Sequence, residues 1–210
     1  MTAAHAIAPL ANNLCVVDDD EAVRRSLGLL LLSRGYAVQT FASGEAFLAG
    51  ADLQRAGCVI LDLRMEGVSG LQVFDALRAQ DSPLVVIFLS GHGDIPMAVE
   101  AVQNGAFGWL EKPCNDERLL DSIARALQQA GDIAVRRQAR QAAQALWNKL
   151  TPREMQVARL VAEGKPNKQI ALELAPLEQR TVETHRAHVF GKLGLSNSHQ
   201  LDRFLREHGL

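Results

Sequence analysis

Short apolar runs alternate with amphipathic segments through the first two thirds of the chain. The apolar runs occupy 14–17, 36–41, 58–61, 84–89 and 107–110. Apolar residues at helical spacing occupy the segments at 23–31, 44–48, 71–77, 97–102 and 119–127. Because the runs are apolar throughout and do not alternate with polar residues, they predict a five-stranded parallel sheet covered by helices on both faces. The predicted fold class is α/β, with a doubly wound, flavodoxin-like domain.

Residues 148–210 show helical periodicity with clear start and stop signals. Thr151-Pro152-Arg153-Glu154 is a capping box with Pro at the first helical position, so a helix is predicted to start there and to end at Gly164. Further helices are predicted from Pro166, from about 179 and from about 198. Four short helices predict a small all-α domain.

The stretch between these two parts is rich in Gln, Ala and Arg and predicts a helical linker over 131–147. Its weak apolar stripe is consistent with an interdomain or dimer-contacting helix and equally with a solvated linker. The predicted organisation is a disordered lead at 1–13, an α/β domain at 14–130, this linker, and the all-α domain at 148–210.

Charge is distributed unevenly between the two predicted domains. Residues 1–130 carry 9 Lys and Arg against 16 Asp and Glu, whereas residues 148–210 carry 10 against 7. This asymmetry is expected if only the second domain binds a polyanion. The apolar runs are too short for a membrane helix, no export signal is present, and the three cysteines lack zinc-type spacing. These features predict a cytoplasmic protein with reduced thiols.

Polar side chains of different kinds follow four of the predicted strands. Asp18 and Asp19 come after the first strand, Asp62 ends the third, Ser90 ends the fourth and Lys112 follows the fifth. In a parallel sheet these positions share one edge, where carboxylates repel one another unless a cation such as Mg²⁺ lies among them. A carboxylate beside such a cation is a candidate nucleophile for phosphoryl transfer, while the lysine and the hydroxyl contact the remaining oxygens.

Each aspartate has a simpler explanation when it is taken alone. An Asp at the end of a strand commonly forms a turn or caps the next helix, and Asp20 is predicted to be such a cap. The combination of acids, a hydroxyl and a Lys-Pro pair at successive strand ends favours a phosphoacceptor site, with Asp62 as the acceptor.

Four sequence blocks carry a resemblance to a known family. Val17-Asp18-Asp19-Asp20-Glu21, Asp62-Leu63-Arg64-Met65, Ser90-Gly91-His92-Gly93-Asp94 and Glu111-Lys112-Pro113 resemble the signature blocks of response regulator receiver domains, particularly those of the FixJ class. The resemblance covers roughly residues 13–128. It implies that a partner sensor histidine kinase transfers a phosphoryl group to this chain.

The resemblance implies a role for each residue of the predicted site. Asp62 would receive the phosphoryl group, and Mg²⁺ (or Mn²⁺) would be held by Asp19, Asp62 and the backbone carbonyl of Arg64, with Asp18 assisting through water. Ser90, at the end of the fourth predicted strand, would move toward the phosphoryl group as a switch residue.

Three further expectations follow from the same resemblance. The Lys112-Pro113 bond is expected to be cis. Trp109 is expected to turn inward behind the hydroxyl residue, although by itself it is more simply a half-buried packing residue. Glu66 departs from the family, which usually has Pro after the Met, and its extra negative charge is expected to weaken metal or phosphate binding.

The basic all-α domain also resembles a known family. On charge alone, a solvated basic face is the simpler explanation. However, Leu150-Thr151-Pro152-Arg153-Glu154, Asn167-Lys168-Gln169-Ile170-Ala171, Arg180-Thr181-Val182-Glu183-Thr184-His185-Arg186 and Lys192-Leu193-Gly194 resemble the LuxR-type helix-turn-helix. This resemblance implies that the helix from about 179 is a recognition helix in the major groove of double-stranded DNA.

Outward positions of this helix are assigned to base edges, and neighbouring positions chiefly to phosphates. The base-edge candidates are Glu183, Thr184 and Ala187. The remaining predicted DNA contacts are Asn167, Lys168, Arg180, Thr181, His185, Arg186 and Lys192. The turn before the helix is one residue longer than the usual family turn, and Glu178 or Gln179 stands in place of the usual Ser cap.

Leu201, Phe204 and Leu205 are spaced for one face of the last predicted helix. They form either part of the core or a dimer patch, and the resemblance implies a dimer contact, with a homodimer forming on phosphorylation.

The leading hypothesis is a response regulator and not an enzyme: phosphorylation of Asp62 switches a DNA-binding transcription regulator, by dimerisation or by release of interdomain contacts. A metal-dependent phosphohydrolase is disfavoured, because Arg64 occupies the position where an Asp-x-Asp phosphatase needs its second acid. A regulator that acts through RNA or protein contacts is a third possibility.

Overall fold

The structure, a computed structural model, describes residues 13–91 and 95–210. The predicted lead lies outside these residues except for Asn13, which begins the first strand, and His92-Gly93-Asp94 of the third sequence block also lies outside them. The chain divides into two compact units between Ala134 and Val135. Within the described ranges, no helix is both long and apolar enough to cross a membrane.

The first unit contains a parallel sheet whose strands follow the order β2-β1-β3-β4-β5. Its elements are β1 (Asn13–Val17), α1 (Glu21–Ser33), β2 (Val38–Phe41), α2 (Gly44–Gly50), β3 (Gly57–Asp62), α3 (Gly70–Ala79), β4 (Leu84–Ser90), α4 (Ile95–Gln103), β5 (Gly108–Glu111) and α5 (Asp116–Trp147). This order confirms the predicted doubly wound fold. The connections diverge on either side of β1, so the carboxyl ends of β1 and β3 border the crevice where such folds bind ligands.

Apolar side chains cover both faces of the central strands. Val17, Leu61 and Phe88 are register neighbours on β1, β3 and β4, and they lie in one hydrophobic cluster. The residue before each of them lies in a second cluster on the opposite face. Since successive side chains of a strand point to opposite faces, a strand between two helical layers must be apolar at every position. This is the physical reason for the continuous apolar runs in the sequence.

The helix α5 includes both the predicted helical segment at 119–127 and the predicted linker at 131–147. It runs without interruption from Asp116 to Trp147 and includes Gly131. A glycine inside a helix costs about 1 kcal/mol relative to Ala, which a helix of this length tolerates. The predicted helical character of 131–147 is confirmed, and the division between the two units falls inside this helix.

The second unit is helical, as predicted. After the end of α5 it contains α6 (Pro152–Ala162), α7 (Asn167–Glu173), α8 (Gln179–Leu193) and α9 (Ser198–His208). The capping box at the start of α6 is confirmed, because the side chains of Thr151 and Glu154 each bond the backbone of the other residue. Its core is built from residues at helical spacing on all four helices, among them Val157, Ile170, Val182, Val189 and Leu201.

The structure corrects part of the predicted dimer patch. Leu201 is fully buried and Leu205 is 8% exposed, and both lie in the core of the second unit. Their side chains are used within the chain and are not offered to a second copy. Phe204 is only partly buried and packs edge-on against His208, with ring centroids 5.2 Å apart. A dimer contact by Phe204 stays a prediction.

Candidate functional site

Three aspartates converge at the carboxyl edge of the sheet. One carboxylate oxygen from each of Asp18, Asp19 and Asp62 lies within 4.8 Å of the other two. Asp18 and Asp62 are buried, at 2% and 7% exposure, whereas Asp19 is exposed. Asp20 is the N-cap of α1, as predicted, and its side chain accepts from the backbone N–H groups of Ala22 and Val23.

Lys112 joins the two buried carboxylates. Its Nζ lies 2.6 Å from Oδ2 of Asp18 and 2.9 Å from Oδ1 of Asp62. Its backbone N–H donates to the carbonyl of Ser90 over 2.7 Å, which ties the loop after β5 to the end of β4. The Lys112-Pro113 bond is cis, as the resemblance implies. The lysine is therefore held where its charge faces the acidic cluster.

Burial and charge have opposite effects on the pKa values of Asp62 and Lys112. Burial raises the pKa of Asp62, and the hydrogen bond and positive charge of Lys112 only partly oppose this. Burial alone would lower the pKa of Lys112, but its hydrogen bonds to Asp18 and Asp62 outweigh that effect and raise it. One ammonium faces three carboxyl groups, so the site retains an excess of negative charge that a cation would stabilise.

Glu66, which stands where the family usually has Pro, supplies a hydrogen bond from its backbone. The backbone N–H of Glu66 donates to Oδ2 of Asp19 over 3.1 Å, while the Glu66 side chain is exposed. Proline has no backbone N–H, so a chain with Pro at this position lacks this bond. Glu66 thus orients the exposed carboxylate of the cluster, an effect separate from the predicted weakening by its charge, which stays a prediction.

Two residues that sequence reasoning missed hold the loop after β3. Gly70 begins α3 against the main chain of Asp62, where a Cβ would lie 2.2 Å from the Asp62 carbonyl oxygen. Glu45, in the first turn of α2, accepts from the backbone N–H of Val68 over 2.8 Å. Hydrogen bonds from its own backbone, from Ser43 and from Val68 lower the pKa of Glu45. Neither role can be read from the sequence, because each depends on a contact with the loop after β3 that forms only when the chain folds.

The two predicted switch residues lie on adjacent strands. Ser90 ends β4 and is 1% exposed. Trp109, on β5, is partly buried and packs against Phe88, with ring centroids 5.6 Å apart. This contact agrees with the simpler interpretation of Trp109 as a packing residue, and its switch role stays a prediction. Arg64 lies in the loop after β3 with an exposed side chain.

All the predicted DNA contacts lie on α7 or α8. The exposed members are Lys168, Arg180, Thr181, Glu183, Thr184, Ala187 and Lys192. Asn167, His185 and Arg186 are partly exposed. Glu178 is the N-cap of α8 and makes no side-chain capping bond, in agreement with the missing Ser cap.

Several of these residues also bond to one another. Arg186 donates to Asn167 over 2.9 Å, and Asn167 donates to Glu183 over 3.5 Å. The ammonium of Lys192 lies 2.6 Å from a carboxylate oxygen of Glu154. These contacts hold α7 and α6 against α8, and the carboxylate of Glu154 partly neutralises the charge of Lys192. Arg180, exposed in the first turn of α8, is the clearer candidate for a phosphate contact.

Comparison with known proteins decides the family. Residues 14–124 match the family model described as response regulator receiver domain, and residues 148–205 match the model described as bacterial regulatory proteins, luxR family. The chain belongs to the response regulator family. This response regulator combines a receiver domain with a LuxR-type DNA-binding domain. A receiver domain implies a histidine kinase partner, and the LuxR-type domain implies DNA binding.

Similar proteins match this response regulator over nearly its whole length. The C4-dicarboxylate transport transcriptional regulatory protein DctR of Rhodobacter capsulatus is 46% identical, over 90% of this chain and 96% of that protein. The transcriptional regulatory protein FixJ of Bradyrhizobium diazoefficiens is 38% identical, over 94% of this chain and 96% of that protein. Among solved structures, the response regulator StyR is 37% identical with a TM-score of 0.79, over 93% of this chain and 98% of that one. The similarity to each of the three therefore spans both domains of this chain.

Proposed function

We propose that Asp62 is the phosphoacceptor of this response regulator and that its phosphorylation controls DNA binding by the helical domain. The observation that carries the proposal is the convergence of Asp18, Asp19 and Asp62 within 4.8 Å, with Lys112 bonded to two of them. We assign the receiver domain to 14–130, the linker to 131–147 and the DNA-binding domain to 148–210, in keeping with the matched residues.

The donor set fits Mg²⁺ or Mn²⁺. Hard divalent cations take oxygen ligands, and Mg²⁺ keeps several waters, so it needs only a few carboxylates. Asp19, Asp62 and the carbonyl of Arg64 would hold the ion directly, with Asp18 acting through water. The ion would supply positive charge to the phosphoryl oxygens when it is bound.

The protein's own groups have separate tasks in the transfer. A carboxylate oxygen of Asp62 forms the bond to phosphorus while the bond from phosphorus to the kinase imidazole nitrogen breaks. The Lys112 ammonium, already 2.9 Å from Asp62, would bond a phosphoryl oxygen. Ser90 would donate its hydroxyl to another, and Trp109 on the adjacent strand would follow its movement. Dimerisation of the phosphorylated chain is the proposed output.

Metal removal tests the proposed site. With acetyl phosphate and Mg²⁺, the chain is expected to take up one phosphoryl group, measured by intact mass spectrometry. Addition of EDTA should reduce labelling to background, because the charge of the phosphoryl group then faces uncompensated carboxylates. Mn²⁺ should restore labelling, since it takes the same oxygen ligands. Equal labelling in EDTA would contradict a metal-dependent acceptor in this pocket.

We further propose that α8 enters the major groove, with Glu183, Thr184 and Ala187 at base edges and Lys168 and Arg180 at phosphates. Support comes from the exposure of these side chains on α7 and α8.

Arg180→Ala is expected to weaken binding to a non-specific DNA duplex and to reduce the slope of log affinity against log salt by about 1, because one phosphate contact is lost. Fluorescence anisotropy at several salt concentrations measures both. Arg203→Ala is the matched control: Arg203 is exposed on α9, outside the two helices of the proposed interface. An unchanged slope for Arg180→Ala, or an equal change in both variants, would remove Arg180 from the interface.

A further inference from the structure

A second cluster of side chains that can ligate a metal ion lies in the helical domain and shares no residue with the acidic pocket of the receiver domain. Glu154 is in the first turn of α6, and His185 and His188 are one turn apart on α8. One ligand atom from each of the three lies within 4.8 Å of the other two. We infer that Glu154, His185 and His188 form a binding site for a transition metal ion of the Zn²⁺ type where α6 meets α8.

The carboxylate of Glu154 is held in position by the fold. Glu154 is 3% exposed, and its Oε2 accepts from the backbone of Thr151 over 2.7 Å and from Lys192 over 2.6 Å. Its Oε1 lies 3.5 Å from Nδ1 of His188. Burial would raise the pKa of Glu154, but the hydrogen bonds from Lys192 and Thr151 lower it to about 2. The group is therefore an anionic ligand at neutral pH.

His185 contributes an independent observation. Its Nδ1 is buried and has no hydrogen-bond partner among the residues that the structure describes. Buried polar atoms nearly always have a partner, and an unexplained exception points to a functional role or a bound group. A neutral imidazole binds a metal ion through its unprotonated nitrogen, so an ion at this cluster would offer the His185 ring a partner that the described residues do not supply.

The donor types select the metal. Two imidazoles and one carboxylate form a ligand set that Zn²⁺ accepts in tetrahedral geometry, with a water molecule in the fourth position. Mg²⁺ prefers oxygen ligands and is expected to bind at the three aspartates of the receiver domain instead. The ammonium of Lys192 contacts Oε2 of Glu154, and its positive charge repels a dication at this carboxylate. We therefore expect a moderate affinity that depends on both histidines.

The test uses the full chain, stripped of metal with a chelator and kept in excess Mg²⁺ so that the acidic pocket is occupied. Calorimetric titration is expected to show one equivalent of Zn²⁺ bound. His188→Ala should weaken this binding at least about tenfold, because one ligand is lost. The His188 side chain is 59% exposed, so its removal should leave the fold intact, which circular dichroism checks. His199→Ala, which changes an exposed histidine of α9, is the control and should bind like the unmodified chain.

Co²⁺ serves as a spectroscopic probe of the same site. Its complex is expected to show the visible absorption of a tetrahedral ion and to lack the near-ultraviolet absorption of a thiolate ligand, which excludes the cysteines. Absence of Zn²⁺ binding in excess Mg²⁺, or equal affinity of the His188→Ala variant and the unmodified chain, would overturn the site. Asp62→Asn should retain Zn²⁺ binding, so the result does not depend on the phosphoacceptor assignment.

Discussion

Asp62→Asn is expected to abolish labelling of the chain by acetyl phosphate in the presence of Mg²⁺. The amide lacks both the nucleophilic carboxylate oxygen and the negative charge that a divalent cation needs. Asn has nearly the same shape and keeps a carbonyl oxygen that accepts from Lys112. It also relieves the repulsion that Asp18 and Asp19 exert on Asp62, so the fold should be retained or slightly stabilised. Intact mass spectrometry over a time course gives the result directly.

Asp75→Asn is the matched control for this experiment. Asp75 belongs to the same domain, but its side chain is 73% exposed and lies 3.9 Å from Arg78 on the surface of α3. Exposed ion pairs of this kind contribute about 0–1 kcal/mol, so this variant should be labelled at the rate of the unmodified chain. Labelling that persists in Asp62→Asn would move the acceptor to another carboxylate of the cluster. Loss in both variants would indicate a general effect of removing charge.

Gly70→Ala is expected to lose both stability and labelling. A Cβ on Gly70 would lie 2.2 Å from the carbonyl oxygen of Asp62 and 2.9 Å from Cα of Leu63, and both contacts are with backbone that cannot rotate away. Carbon atoms pack at about 3.5–4.0 Å, so the start of α3 must separate from the end of β3. Overpacking of this kind costs about 1–3 kcal/mol or more in the free energy of unfolding. A shift of about 1 Å at a reacting group costs about a hundredfold in rate.

Gly131→Ala makes the same chemical change where nothing obstructs it. Apart from its chain neighbours and the backbone of its own helix, a Cβ on Gly131 meets no heavy atom of the described residues within 4 Å, and the residue lies inside the long helix α5. This variant is expected to be about 1 kcal/mol more stable, because Ala is the better helix former, and to be labelled normally. Thermal unfolding and the labelling rate per folded molecule compare the two substitutions. Normal stability and labelling of Gly70→Ala would show that the loop after β3 yields without moving Asp62.

Sequence reasoning placed correctly those residues whose location depends only on where they stand along a helix or a strand. The continuous apolar runs predicted a parallel sheet, and a parallel sheet brings Asp18, Asp62 and Lys112 to one edge whatever the details of packing. Likewise, the capping box of Thr151 and Glu154 is local, since both partners lie within one helical turn. In these cases the spacing along the chain already determines the geometry.

The errors and omissions concern contacts between elements. Spacing alone left Leu201 and Leu205 open as either core or dimer patch, because both uses require the same apolar stripe on a helix. The role of Gly70 arises because α3 starts against the main chain of β3, a distance that no sequence pattern records. The bond between Glu66 and Asp19 is likewise invisible, since it joins residues 47 positions apart and uses a backbone N–H.

Residue patterns along the chain were enough to predict the two-domain organisation, the fold class of each domain and the edge of the sheet at which the acidic residues meet. Hydrophobic periodicity and local capping carry that information, because they depend only on the geometry of single helices and strands. Packing between elements, in contrast, creates the bond from Lys112 to Asp18 across 94 positions of sequence and places Glu154 against both Lys192 and the two histidines of α8. These contacts depend on how separate elements pack, and side-chain distances of a few ångströms are set by that packing and not by spacing along the chain.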